Sequence, residues 1–168
     1  MQRTAEDLAG VLDANFAGEI AFSAPVTIIH GLPQYCVSIA LMQKGVVTQA
    51  IVYDPNRDEL YTASKGRGAF LNGKRLKASR RTDFPGSRVP TDSLPKADID
   101  LTEVEKPNSI ALRMAMVADD RADLLATLRW GYEWDIGAAA LIAREAGAAV
   151  TDAFGQPLNY NKRDPRDF

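Results

Sequence analysis

Histidine and cysteine are almost absent from this 168-residue sequence, which has one of each, His30 and Cys36. A lone cysteine cannot form an internal disulfide, and a lone histidine excludes a zinc site built from several histidines. Oxygen ligands are what remains for metal chemistry. For His30 and Cys36 themselves, packing or surface roles are expected at the turn into the first strand of the predicted meander.

Long apolar runs and an excess of either charge are also lacking. No segment approaches the roughly 18 apolar residues of a membrane span, and the N-terminal stretch has no apolar signal-peptide core. Lys and Arg number 20 against 22 Asp and Glu, which gives a net charge of -2. These features predict a soluble, cytoplasmic protein whose partner is neither a nucleic-acid polymer nor a membrane.

The first half of the chain is typical of a helix followed by a sheet. Apolar residues recur at helical spacing over 6–22, and Gly18 predicts the end of that helix. Residues 24–33 indicate a connection or a short edge strand. The pair Asn72-Gly73 favours a type I′ turn, because both positions of that turn need a positive φ. Apolar, β-rich runs predict strands over 35–42, 46–53, 59–64 and 69–71.

The second half is predicted to alternate helices with strands. Residues 77–108 hold four prolines and many charges without a sustained period, which indicates an irregular linker. Ser109 is suited to cap the next helix, and a small-residue face predicts a helix over 134–146. Strands are expected over 122–128 and 148–151.

These elements predict an α+β fold with layers of sheet and helix. An antiparallel meander flanked by helices occupies 1–76, and a smaller mixed α/β portion occupies 109–168. The length of the chain corresponds to about one domain, so 1–168 is expected to form a single unit with 77–108 as its irregular linker.

Two long segments, 31–76 and 109–158, resemble the inositol monophosphatase family of metal-dependent phosphatases, which includes fructose-1,6-bisphosphatases and nucleotidases. The resemblance implies that Asp135, in the pair Trp134-Asp135, binds catalytic Mg²⁺ at the start of a helix. Read from the residue alone, Asp135 is a first-turn acid that complements the helix dipole. Glu133 is either a second acidic group that contacts substrate or a solvated residue leading into the helix.

The resemblance also implies substrate contacts at Ser109 and Arg129. Ser109 lies where the family has a Gly-Ser or Gly-Thr pair, although Asn108 replaces the glycine, and an N-cap role accounts for Ser109 equally well. Leu128 replaces the glutamate that inositol-specific members use for a substrate hydroxyl. Arg129 precedes the triplet at 133–135 that contains Trp134, and this arrangement is similar to that of the nucleotidase branch of the family.

The departure from the family lies upstream of residue 31, where the signature D-P-x-D-G-T is replaced by AFSAPVTIIHG. The preceding glutamate pair is also missing, so the chain resembles a truncated member that lacks the N-terminal metal-binding block. Asp119, Asp120 and Asp123 match no family ligand and are expected to be solvated surface acids.

Two functions follow from this comparison. The first is an Mg²⁺-dependent phosphomonoesterase for a small sugar, inositol or nucleotide phosphate, with weakened or absent turnover. The second is a non-catalytic remnant that serves self-association or partner binding, because loss of a layer exposes sheet edges and apolar patches. A homo-oligomer is therefore a further expectation.

Overall fold

The computed structural model describes residues 19–23, 35–91, 100–127 and 132–163, the first of these ranges by its backbone. The helix predicted before Gly18 and the connection predicted over 24–33 lie outside the described residues. The strands are β1 (Glu19–Ser23), β2 (Val37–Gln43), β3 (Val46–Asp54), β4 (Glu59–Ser64), β5 (Gly68–Leu71), β6 (Lys74–Arg75), β7 (Arg88–Pro90) and β8 (Thr102–Val104). The helices are α1 (Ile110–Ala118) and α2 (Glu133–Glu145).

Strands β1 to β6 form one antiparallel sheet in sequence order, which confirms the predicted meander. At the β5–β6 turn Asn72 and Gly73 have φ angles of 48° and 79°, as a type I′ turn requires. The apolar spacing over 6–22 continues past the helix end predicted at Gly18 into β1, where Ile20 lies opposite Leu41 of β2. Pairing with β2 satisfies the backbone hydrogen-bonding groups of these residues, and it stabilises the strand although the apolar residues have a loose helical period.

The two helices pack on one face of this sheet. The small-residue face of α2 is buried as predicted, with Ala138, Ala139, Ile142 and Ala143 all at or below 2% exposure. A Cβ atom placed on Gly137 would lie 3.8 Å from the Cβ of Ala40, so the helix backbone approaches the sheet closely. Small side chains permit this approach, and it fixes where the start of α2 meets β2.

The opposite face of the sheet is buried as well. Ile39, Ile51, Tyr53 and Leu60 form a second apolar cluster, and Ile51 is fully buried. A sheet with two apolar faces occurs where both are covered, which is the layered arrangement. The predicted α+β class is therefore confirmed.

Residues 77–108 contain more regular structure than expected. Strands β7 and β8 pair in parallel, with Val89 opposite Glu103. The expectation of an irregular linker is wrong at this pair, because three-residue strands are too short to show a period. Long-range contacts hold β7 instead, since the Arg88 backbone N–H donates to Asp123 Oδ2 at 2.8 Å.

The strands predicted over 122–128 and 148–151 are wrong for the residues that the structure describes, up to 127 in the first range. Backbone groups there have single partners rather than a ladder: Asp123 N–H donates to Arg88 C=O, and Arg144 Nη2 donates to Val150 C=O at 3.0 Å. A β-rich run becomes a strand only where a neighbouring strand is available to pair with it.

No helix among the described residues is long and apolar enough to cross a membrane.

Candidate functional site

The N-terminus of α1 meets the start of β2. Ser109 caps α1 as predicted, since its Oγ accepts a hydrogen bond from the Leu112 backbone N–H at 3.3 Å. The same Oγ lies 3.1 Å from the Sγ of Cys36, which is 1% exposed. The cap thus positions the Ser109 hydroxyl against the end of the sheet.

The N-terminus of α2 carries Asp135 in its first turn. Asp135 Oδ2 accepts a hydrogen bond from the Tyr132 backbone N–H at 3.1 Å, which confirms its role as a first-turn acid of the helix. The side chain is half-buried. A carboxylate at this position complements the helix dipole, and the adjacent backbone N–H groups favour an anionic ligand.

Cys36 is buried beside the capped start of α1. Burial raises the pKa of its thiol to about 11, and although the Ser109 hydrogen bond lowers it, the negative charges of Asp54 and Asp135 raise it further. Both carboxylates therefore act on one thiol, which is protonated at neutral pH. Cys36, Asp54, Ser109 and Asp135 form the candidate site, which we call the Cys36 cluster.

Asp54 is a member of this cluster that sequence reasoning missed. It ends β3 and is 7% exposed, and its Oδ1 accepts hydrogen bonds from the Asn56 and Arg57 backbone N–H groups at 2.9 and 3.4 Å. The sequence Asp54-Pro55-Asn56 indicates this turn, but nothing local signals that Asp54 lies near Cys36.

A cavity of about 220 Å³ adjoins the cluster through Asp54. Arg57 Nη2 contacts both carboxylate oxygens of Glu105 at 2.7 and 2.6 Å, and Arg121 Nη2 contacts Glu59 Oε2 at 2.8 Å. Such mixed walls suit a small polar ligand. The lining residues are Asp54, Asn56, Arg57, Glu59, Glu105, Pro107, Leu112, Met116 and Arg121.

The hydrogen bonds of Glu133 among the described residues are to Asn161 and Lys162 and not to members of the Cys36 cluster. It is 6% exposed, so the expectation of a solvated lead-in residue is wrong. Its carboxylate accepts from the Asn161 backbone N–H at 2.5 Å and the Lys162 backbone N–H at 3.2 Å. These bonds secure the segment around 161 to the start of α2, because a buried carboxylate needs donors. Arg129, Leu128 and His30 lie outside the described residues.

Asp119 and Asp123, whose side chains are each 5% exposed, are not the solvated surface acids that were expected. Asp119 Oδ2 accepts from Arg121 Nε at 2.8 Å and from the Tyr61 hydroxyl at 2.8 Å. Asp123 binds Arg88 through two guanidinium nitrogens, and the Arg88 hydrogen bonds hold the pKa of Asp123 well below its usual range. Asp120 pairs with Arg88 at 2.5 Å, and its side chain is 55% exposed, as expected of a surface acid. These acids bind side chains near the loop after α1. The carboxylates assigned to the Cys36 cluster are those of Asp54 and Asp135.

The architecture defines a layered α+β protein in which two helices pack on one face of an antiparallel sheet. The chain belongs to the inositol monophosphatase family, whose sequence profile matches residues 28–166.

Relatives and solved structures agree with this assignment. The Nus factor SuhB of Xylella fastidiosa is 37% identical over 142 residues, which are 76% of this chain and 51% of that protein. Inositol monophosphatase 2 of Solanum lycopersicum is 36% identical over 150 residues, 80% of this chain and 57% of the relative. The chain therefore spans about half the length of these curated relatives.

The structure of an extragenic suppressor from Pyrococcus furiosus has a TM-score of 0.74 and 26% identity, and covers 93% of this chain and 68% of its own. The Thermotoga maritima IMPase structure has a TM-score of 0.70 and 32% identity, and covers 77% of this chain and 54% of its own.

Mg²⁺ is the cofactor that family membership implies. Mg²⁺ requires near-octahedral oxygen ligands, and a protonated thiol is unsuited to it. Within the ranges that the structure describes, no three His, Cys, Asp or Glu side chains are grouped to hold a metal ion. Asp135 offers a carboxylate, Asp54 uses one oxygen to close a turn, and Cys36 keeps its proton. These residues do not form a complete Mg²⁺ site.

Proposed function

We propose that this chain is an Mg²⁺-dependent phosphomonoesterase of weakened turnover, acting on a small sugar, inositol or nucleotide phosphate. The observation that carries the proposal is the contact of Ser109, at the start of α1, with Cys36, whose thiol pKa the charge of Asp135 also raises, within the segment that matches the family. Relatives named as inositol monophosphatases support the class of substrate.

The chemistry of the Cys36 cluster suits a phosphate ester. Two helix N-termini supply backbone N–H groups and a positive dipole end for the phosphate. The hydroxyl of Ser109 is a further polar group for the substrate, and Asp135 is the cluster's candidate metal carboxylate. We include Arg129 as a substrate contact on the basis of the family resemblance. The lack of a complete metal site among the described residues supports the weakened turnover in this proposal.

Phosphate release tests this function. The protein is incubated with inositol 1-phosphate or a 3′-phosphonucleotide, with Mg²⁺ or with a chelator, beside an intact relative. We expect slow, Mg²⁺-dependent release that falls by about tenfold or more in Asp135→Asn, a loss of about 1.4 kcal/mol in transition-state stabilisation. Asp83→Asn, at an exposed position, serves as the matched control and keeps the wild-type rate. A rate equal to the intact relative's contradicts the weakened site.

A non-catalytic module for self-association is the second candidate, and a stacked aromatic pair favours it. The rings of Tyr132 and Trp134 lie 4.4 Å apart at an interplanar angle of 7°, and both residues are 39% exposed. Exposed aromatic surface is typical of interfaces. Two results together would select this function. One is the absence of any Mg²⁺-dependent hydrolysis, and the other is a dimer whose dissociation constant rises in Trp134→Ser but not in Phe154→Ser.

A cytoplasmic location and a single domain over 1–168 remain predictions.

A further inference from the structure

One stretch of the chain has a charge opposite to that of the whole. The protein has a net charge of -2, yet 65–81 contains seven basic residues and no acidic residue. They are Lys65, Arg67, Lys74, Arg75, Lys77, Arg80 and Arg81. The remainder of the chain is correspondingly acidic, so the total charge conceals a strong local segregation.

The fold brings these residues to one edge of the sheet. They occupy the β4–β5 turn, strand β6 and the segment that follows it, and β6 is the last strand of the six. All seven side chains belong to exposed residues. We call this surface the basic edge.

Among the described residues, no carboxylate forms an ion pair with the side chains of the basic edge. In the part of the chain that the structure describes, ion pairs involve Arg57, Arg88, Arg121 and Lys162, and none involves the seven basic residues. Glu145 does reach the β4–β5 turn. Its carboxylate oxygens accept hydrogen bonds from the backbone N–H groups of Gly66 and Gly68, at 2.7 and 2.8 Å, and form no ion pair with the basic side chains.

Planar side-chain groups lie among the basic residues of this edge. The Arg75 guanidinium carbon is 5.8 Å from the ring centroid of Phe70, a cation–π distance, and Arg75 Nη1 donates to the Arg67 carbonyl at 3.4 Å. A Cβ atom at Gly68 would lie 2.7 Å from Arg75 Nη2, so glycine leaves room for this guanidinium. Phe84 follows the basic stretch and is 58% exposed. Bases stack on such surfaces.

We propose that the basic edge binds single-stranded nucleic acid through its phosphates. Phosphates that recur at every nucleotide match a group of exposed cations without ion-pair partners among the described residues, and unpaired bases find planar partners at Arg75 and Phe84. An acidic protein partner would bind the basic side chains but would not stack on the planar groups. The expectation of no nucleic-acid partner depended on total charge, which averages the basic edge with the acidic remainder. This inference is independent of the proposed phosphatase activity.

Fluorescence anisotropy with a labelled oligouridylate of about 12 nucleotides tests the proposal. With about four phosphate contacts, raising the salt from about 50 mM to about 200 mM should weaken binding by about 50-fold. The triple variant Lys74→Gln, Lys77→Gln, Arg80→Gln should bind at least about tenfold more weakly, with a smaller salt dependence. The charge-preserving variant Lys74→Arg, Lys77→Arg, Arg80→Lys should keep the wild-type affinity, and melting curves check that each variant folds.

A matched control removes the same charge elsewhere, through Lys44→Gln, Lys106→Gln and Arg163→Gln. We expect its affinity to stay within about twofold of the wild type, apart from a small nonlocal effect. Equal losses in the two triple variants overturn the proposal, because total charge would then explain binding. Competition by polyglutamate as effective as that by unlabelled RNA also overturns it in favour of an acidic protein, as does the lack of binding at low salt.

Discussion

The sulfur of Cys36 lies 3.1 Å from the hydroxyl oxygen of Ser109, although 73 positions separate the two residues in the chain. This contact joins the sheet-forming half of the protein to its helical half. The negative charges of Asp54 and Asp135 raise the pKa of the same thiol.

Replacing Ser109 with alanine should destabilise the protein by about 1 kcal/mol, because the Leu112 N–H loses its capping acceptor. Ser109→Thr keeps a hydroxyl and should stay within a few tenths of a kcal/mol of the wild type, roughly. Urea unfolding measures both. Equal stability of the alanine and threonine variants would contradict the capping role.

The Cys36 thiol should resist alkylation in the native state. Its pKa is raised to about 11 by burial, with Asp54 and Asp135 contributing, so at pH 8 only about one thiol in a thousand is ionised, from the difference of three pH units. Labelling in denaturant should be faster by about 100-fold or more, because the thiolate fraction and the access both increase. A thiol reagent that reacts at similar rates in both states would refute this.

Two arginines that form similar ion pairs should differ in their effect on stability. Arg121→Met leaves Asp119, whose side chain is 5% exposed, without its cation and should cost about 2 kcal/mol or more. Arg57→Met breaks a pair whose side chains are 42% and 57% exposed, and should cost less than about 1 kcal/mol. Chemical unfolding of both variants measures the contrast, and equal losses would exclude burial as its cause.

Acid should remove the stabilisation that Asp123 provides. Its folded pKa is lowered, first by the Arg88 hydrogen bonds, so its contribution is present above the unfolded pKa of about 3.9 and is lost as the pH falls through the folded pKa. Asp123→Asn should therefore be less stable than the wild type at pH 7, with a difference that narrows below about pH 4. Asp83→Asn, the exposed control, should follow the wild-type curve, and a pH-independent difference for Asp123→Asn would contradict the ionic mechanism.

The same substitution should have opposite effects at two glycines. In α2 a Cβ atom at Gly137 meets ordinary contacts of 3.7 to 3.9 Å, so Gly137→Ala should stabilise by up to about 1 kcal/mol through helix propensity. Gly147 has a φ of 102°, and Gly147→Ala should destabilise by about 1 kcal/mol. Melting temperatures of the two variants give the signs, and a loss at Gly137 would show that the interface with β2 cannot adjust.

Sequence reasoning succeeded where short-range chemistry decides the structure. Strand β4, Glu59–Ser64, has the predicted bounds, because the turn residues before it and the apolar alternation within it are local signals. Ser109 was identifiable as a cap for the same reason. The predicted strands at 122–128 and 148–151 failed because a strand needs a partner, and pairing is not visible in a local pattern.

The candidate site was accessible to sequence reasoning only in part. Asp135 and Ser109 stand in recognisable motifs, whereas Asp54 looks like a turn residue and Cys36 like a packing residue. Glu133 was wrongly expected to be solvated, since its partners at Asn161 and Lys162 are 28 and 29 positions away.

The order of residues along the chain is sufficient for the meander, for the helix caps and for the basic stretch at 65–81, because each depends on neighbours within a few positions. The contact between Cys36 and Ser109, and the effect of Asp54 and Asp135 on that thiol, depend instead on the register of the sheet and on how the helices pack against it. Those are properties of the packed molecule, since many weak long-range contacts must form together before any one of them is stable.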